Sequence, residues 1–93
     1  MKNNDLIGKM VLSKAGKDKK HLYVVVGHLN DNYVILSNGS TKTVQMPKRK
    51  SLKHIYVLGN VDDEIKESII AKDRGADLKI KRFLKLKGIV KEG

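Results

Sequence analysis

The chain of 93 residues has no cysteine and no tryptophan, a single proline, one phenylalanine and three tyrosines. Without cysteine there is no disulfide framework and no thiolate metal site, and the composition fits a reducing compartment. No apolar run of signal-peptide length opens the sequence, and none approaches the roughly 20 residues of a membrane span. The expectation is a soluble, cytoplasmic protein with no membrane partner. Acids are also scarce, with ten Asp and Glu against twenty Lys and Arg, a formal net charge of +10. Residues 1–60 hold eleven basic and three acidic side chains, a net of +8, whereas residues 61–93 hold nine and seven, a net of +2. A field of this sign attracts polyanions, and nucleic acid is the usual one in a small intracellular protein.

The excess charge coincides with the part that reads as β-structure. Residues 1–5 read as a frayed end. Two apolar runs, Met10 to Leu12 and Leu22 to Val26, flank the turn Lys14-Ala15-Gly16-Lys17-Asp18-Lys19-Lys20. Runs of Val, Leu and Tyr favour a pleated backbone, and Gly16 suits the sharp turn because it has no Cβ. The spacing predicts strands over Lys9–Lys14, His21–Leu29 and Tyr33–Ser37. Asn38-Gly39 predicts a type I′ hairpin leading to a fourth strand over Thr41–Met46, ended by Pro47. A basic connector, Lys48 to Lys53, then leads to a fifth strand over His54–Leu58. Five short strands with tight turns suggest a small closed barrel.

The second strand is apolar on both faces, with Leu22, Val24 and Val26 opposite Tyr23 and Val25. A strand of this kind needs cover on both sides. One set can fill a barrel, and the C-terminal segment is expected to cover part of the other. That segment reads as helical. Asp62 or Asp63 can cap a helix with the stripe Ile65, Ile69 and Ile70, ending with Gly75 as the residue past its C-terminus. A second helix is expected from Asp77 to Leu86 or Lys87, stopping at Gly88 and burying Leu78, Phe83 and Leu84 with Ile80 nearby. Leu78-Ile80 and Leu84-Leu86 also fit a period of two. The fold class is thus mainly β, a barrel over residues 1–60 with one or two helices over residues 61–93.

Gly8, Val11, Gly16, Lys19 and Val25 match a known pattern. Gly8 to Gly27 resembles the KOW motif of ribosomal and transcription-factor barrels, with Lys20 and Tyr23 standing where two later glycines often occur. Over residues 6–58 the chain is also similar to the archaeal and eukaryotic large-subunit ribosomal protein of the L14e type and to small bacterial KOW-domain RNA-binding proteins. The resemblance implies an SH3-like barrel that binds RNA, in the first instance ribosomal RNA, with ribosomal proteins as further candidate partners.

Two cationic segments are candidate RNA contacts. The first is the turn with Lys14, Gly16, Lys17, Lys19, Lys20 and the adjacent His21, where lysines on a short loop can reach several phosphates. The second is Lys48, Arg49, Lys50 and Lys53, where the guanidinium can fork onto phosphate or stack on a base. The alternative for each is a solvated charge run. Tyr23, Tyr33 and Tyr56 lie in apolar strands and read as core, which favours recognition of backbone and shape. His21, His28 and His54 have no carboxylate or thiolate at ligand spacing, so no metal site is expected. Asp18 and Asp31 are isolated, Asp62, Asp63 and Glu64 suit a helix start, and no nucleophile or NTPase loop is present. Neither catalysis, a cofactor nor a small-molecule substrate is expected. The rival readings are a KOW module docking on RNA polymerase or another protein, and a binder of DNA or anionic membrane.

Overall fold

The computed structural model describes residues 6–17 and 19–92, with side chains through residue 87. Residues 1–5, expected to fray, and Asp18 of the first turn lie outside the described residues. The elements in chain order are β1 (Lys9–Ser13), β2 (Leu22–His28), β3 (Tyr33–Ser37), β4 (Lys48–Ser51), a single 3-10 turn (Leu52–His54), β5 (Ile55–Asn60), α1 (Asp63–Ala71) and α2 (Ala76–Glu92). The strands form one antiparallel sheet in the order β4-β3-β2-β1-β5. The last strand thus returns to pair with the first, and β4 and β5 are the two edges. The register shifts between Met10 and Val11 and again between Val25 and Gly27. Each irregularity bends the strand and increases its twist, which curls the sheet.

The sheet is apolar on both sides, as the alternation in β2 requires, and each side has its own core. Val11, Tyr23, Val25, Val34, Leu36 and Ile55 pack together on the concave side. Val24 on the other side joins Val61, Ile65, Ile69, Ile80 and Leu84, with Met10, Leu22 and Val26 packed against them. The helices therefore back the sheet. Among the described residues no helix is long and apolar enough to cross a membrane.

The fourth strand lies later than the pattern predicted. Residues 38–46 form a loop, and β4 is the basic segment Lys48–Ser51, expected as a connector. Local side chains explain the shift. Asn38 Oδ1 accepts from the backbone N–H of Ser40 and of Lys42, both at 2.9 Å. Ser37 Oγ donates to the Lys42 carbonyl at 2.7 Å, and Thr43 Oγ1 accepts from Met46 N–H at 3.0 Å. These bonds occupy backbone groups that a ladder would need. Gly39 has φ +74 but Asn38 does not share the left-handed region, so the turn is not type I′. Pro47 precedes a strand instead of ending one.

The helices also depart from expectation in detail. Asp62 stands at the N-cap of α1, and Asp63 and Glu64 lie in its first turn, where acids suit the helix dipole. The buried positions are Ile65, Ser68 and Ile69, while Ile70 is exposed. The helix ends at Lys72, φ 57 and ψ 40, three residues before the expected Gly75. Lys72 N–H donates to the Ile69 carbonyl (3.1 Å) and Asp73 N–H to the Ser68 carbonyl (3.0 Å). This is a Schellman closure with lysine in the place glycine usually takes. In α2 the buried side is Ala76, Ile80 and Leu84, spaced four apart, with Phe83 beside them. Leu78, expected inside, is exposed, and Gly88 does not stop the helix. Asp77 lies inside the first turn, and its carboxylate accepts the Val44 N–H at 2.8 Å. That bond ties the loop after β3 to the helix.

Candidate nucleic-acid interface

The first cationic segment is a braced hairpin loop. Ser13 N–H donates to the His21 carbonyl at 3.0 Å and Lys20 N–H to the Ser13 carbonyl at 2.8 Å. Lys19 N–H closes the turn onto the Gly16 carbonyl at 3.2 Å, and Ser13 Oγ donates to the Ala15 carbonyl at 3.1 Å. Gly16 takes φ +87, as the turn requires. Lys20 takes φ +72, a conformation a side-chain-bearing residue adopts at a cost. Gly16, Lys17, Lys19, Lys20 and His21 are exposed, and Lys14 is half-buried.

The second segment meets the first. Lys50 Nζ donates to the Ala15 carbonyl at 3.0 Å, and Lys14 N–H donates to the His54 carbonyl at 2.8 Å. The turn between β1 and β2 is thus held by β4 on one side and by the entry to β5 on the other. Register decides where the cations of β4 point. Lys48 and Lys50 stand opposite Leu36 and Val34, whose side chains fill the concave core. Cross-strand partners share a face, so these two lysines lie on the concave side and are half-buried. An inward lysine on an edge strand also discourages edge-to-edge pairing. Arg49 stands opposite Ile35 and turns the other way, with its guanidinium 5.5 Å from the Tyr33 ring centroid. A shallow groove beside it is lined by Asn32, Tyr33, Ser51, Leu52 and Lys53. The structure therefore joins Lys50 to the first loop, and groups Arg49 and Lys53 around Tyr33 on the outer face.

Tyr33 and Tyr56, expected in the core, lie at the surface. Tyr23 is buried, but Tyr33 is 38% and Tyr56 57% exposed. Tyr56 stands opposite Leu12, and Lys14 Nζ lies 4.4 Å from its ring centroid. The β1–β5 pairing that creates this arrangement joins residues more than forty positions apart. No local pattern in the sequence marks it.

The acidic side chains of the helices serve other ends. Lys79 Nζ lies 3.4 Å from Glu64 and 4.0 Å from Asp73, between α1 and α2. The Gly75 N–H donates to Asp73 Oδ1 at 2.9 Å. This bond holds the carboxyl below its ordinary value against the opposing effect of desolvation, with Lys79 and Ser68 assisting. Among the described residues no three His, Asp or Glu side chains gather as a metal ion would require. His21 and His28 are exposed on strand flanks and His54 is half-buried.

The arrangement defines a small basic domain: a curled five-stranded sheet backed by two helices, with lysines and two exposed tyrosines gathered around the β1–β2 loop and strand β4. No family model matches the chain. The chain is 31% identical over 64 residues to the Bacillus subtilis (strain 168) protein named "Putative ribosome-binding protein YbzG", covering 69% of this chain and 86% of that relative. At that identity and coverage, this chain belongs to the YbzG family.

Proposed function

We propose that the protein is a non-enzymatic RNA-binding protein that associates with the ribosome, in the cytoplasm, through ribosomal RNA. The ribosome-binding name of its relative supports this reading. So does one structural observation above the others: the bond from Lys50 to Ala15 anchors the second cationic segment on the first, while Arg49 faces the other way. Lys17, Lys19 and Lys20 neutralise phosphates there, and counterion release drives association. Lys14, Lys48, Arg49, Lys50 and Lys53 add phosphate contacts beside them, and Gly16 and His21 shape the surface. In this reading residues 1–60 are a KOW-type, SH3-like barrel and residues 61–93 a helical extension. The strand order, the 3-10 turn between β4 and β5, and the left-handed Lys20 support that assignment. No cofactor or small-molecule substrate enters the mechanism.

Sedimentation of cell extract through sucrose gradients tests the proposal. Co-migration with a ribosomal subunit at low salt, lost at high salt, is the expected result. With about 5 to 8 phosphate contacts, log–log affinity falls with salt at a slope of roughly −4 to −7. A flat salt response refutes it. One observation favours a second reading. Val57 and Leu58 are about half exposed on the edge strand β5, a surface that a protein such as RNA polymerase could extend as a strand. Migration with polymerase and not with ribosomal particles would select that reading.

A further inference from the structure

Electrostatic contact with phosphates does not account for Tyr56. The residue is 57% exposed on β5 and lines a shallow groove of about 310 Å³ together with Leu12, Ser13, Lys14, Lys19 and Lys20. The volume falls at the lower end of the ~300–1,000 Å³ in which small ligands seat. Among the described residues the lining holds three lysines and no carboxylate. Leu12 stands directly opposite Tyr56 across the β1–β5 pair, and such a pair positions the ring against the sheet. Lys14 Nζ already sits over the ring, 4.4 Å from its centroid, so the π-face attracts a cation, and the residue as a whole stays more than half exposed. An aromatic face with cations around it, on a rigid strand, is the combination that single-stranded nucleic acid uses: the base stacks and the phosphates meet the lysines.

We propose that Tyr56 is a stacking platform for one unpaired nucleobase, with Lys14, Lys19 and Lys20 on the phosphates that flank it. The inference rests on the RNA-binding reading and adds a specificity to it. In a duplex the bases are stacked on one another and cannot lie on the ring. The protein therefore discriminates looped or bulged RNA from fully paired RNA. The Lys14 ammonium leaves the ring as the base arrives and moves to the adjacent phosphate.

The test compares the full chain and its variants on two probes, a blunt RNA duplex and a hairpin with the same stem closed by a single-stranded loop. Tyr56→Ala and Tyr56→Leu are each expected to weaken hairpin binding roughly 10-fold or more, and to change duplex binding less than about 2-fold. Tyr56→Leu keeps apolar bulk against Leu12, so it separates loss of the ring from loss of packing. Tyr56→Phe, which restores the ring, is expected to recover hairpin affinity. Because the chain lacks tryptophan, stacking also quenches tyrosine emission on hairpin addition, and Tyr56→Phe removes that part of the signal. If both truncations bind hairpin like the wild type, or weaken both probes equally, the stacking role is overturned while RNA binding stands. If the wild-type chain binds neither probe, the RNA reading itself falls and the inference with it.

Discussion

Replacing Gly39 with alanine tests how the loop after β3 is held to the helices. Gly39 has φ +74, in the left-handed region, where a Cβ costs roughly 1–2 kcal/mol. The added methyl also has nowhere to go. It would overlap the carbonyl oxygen of Asp77 and stand 2.8 Å from the Lys81 nitrogen, both backbone atoms of α2. Backbone cannot rotate aside as a side chain can, and such overpacking costs typically about 1–3 kcal/mol. Together the two effects predict a loss of about 2–5 kcal/mol. A domain of 93 residues is stable by roughly 5–14 kcal/mol, so the loss is a large share. Urea unfolding followed by circular dichroism reads it as a lowered midpoint. Gly59→Ala is the internal control. Gly59 has no positive φ and nothing within 4 Å of the new methyl, so its effect is expected within about 0.5 kcal/mol. A Gly39→Ala midpoint equal to wild type would refute the packing of this loop on α2.

Three other outcomes are expected. Charge reversal of Lys17 and Lys19, both exposed, weakens binding to every RNA alike and lowers the salt slope, with an unchanged unfolding midpoint; a sequence-selective loss would contradict the phosphate role. Lys72→Gly relieves the left-handed closure of α1 and raises stability by about 0.5–1 kcal/mol, since glycine's extra unfolded-state freedom offsets part of the relief; a lower urea midpoint would count against it. The Asp73 carboxyl titrates below its unfolded value because of the Gly75 N–H, so it stabilises the fold above the ordinary carboxylate range and ceases to as pH falls through its folded value. The stability gap between wild type and Asp73→Asn should accordingly shrink as pH falls below about 4, and a pH-independent gap would refute this account.

Much of the scaffold was legible in the residues. Leu22 to Val26 announced a strand covered on both faces, and the structure places Tyr23 and Val25 in one core and Val24 in the other. Gly16 marked the turn, and the acids at Asp62 to Glu64 marked the start of α1. The fourth strand was illegible because alternation at Thr43 to Met46 competes with side-chain bonds from Ser37, Asn38 and Thr43. The real strand, Lys48–Ser51, has no apolar signal, since an edge strand is held by backbone pairing to β3. The helix stop was placed at Gly75 because glycine is the usual left-handed residue, whereas Lys72 makes the turn. The tyrosines misled for a different reason. Tyr23 and Tyr56 have similar apolar neighbours in sequence, but β2 is central and β5 is an edge. Exposure is set by position in the sheet, which depends on pairing between distant segments.

The two cores have a consequence for how β2 finds its partners. In most half-buried strands a slip by one residue turns apolar side chains to water, and that penalty guards the alignment. In Leu22–Val26 the same slip would exchange one greasy face for another. Polarity offers no protection, so volume and backbone must supply it. A phenol ring would enter the place built for Val24, the carbonyl of Val25 would lose its bond from Gly8 N–H, and the extra residue between Val25 and Gly27 would fall out of step with β3. Alignment in this sheet is chosen by shape.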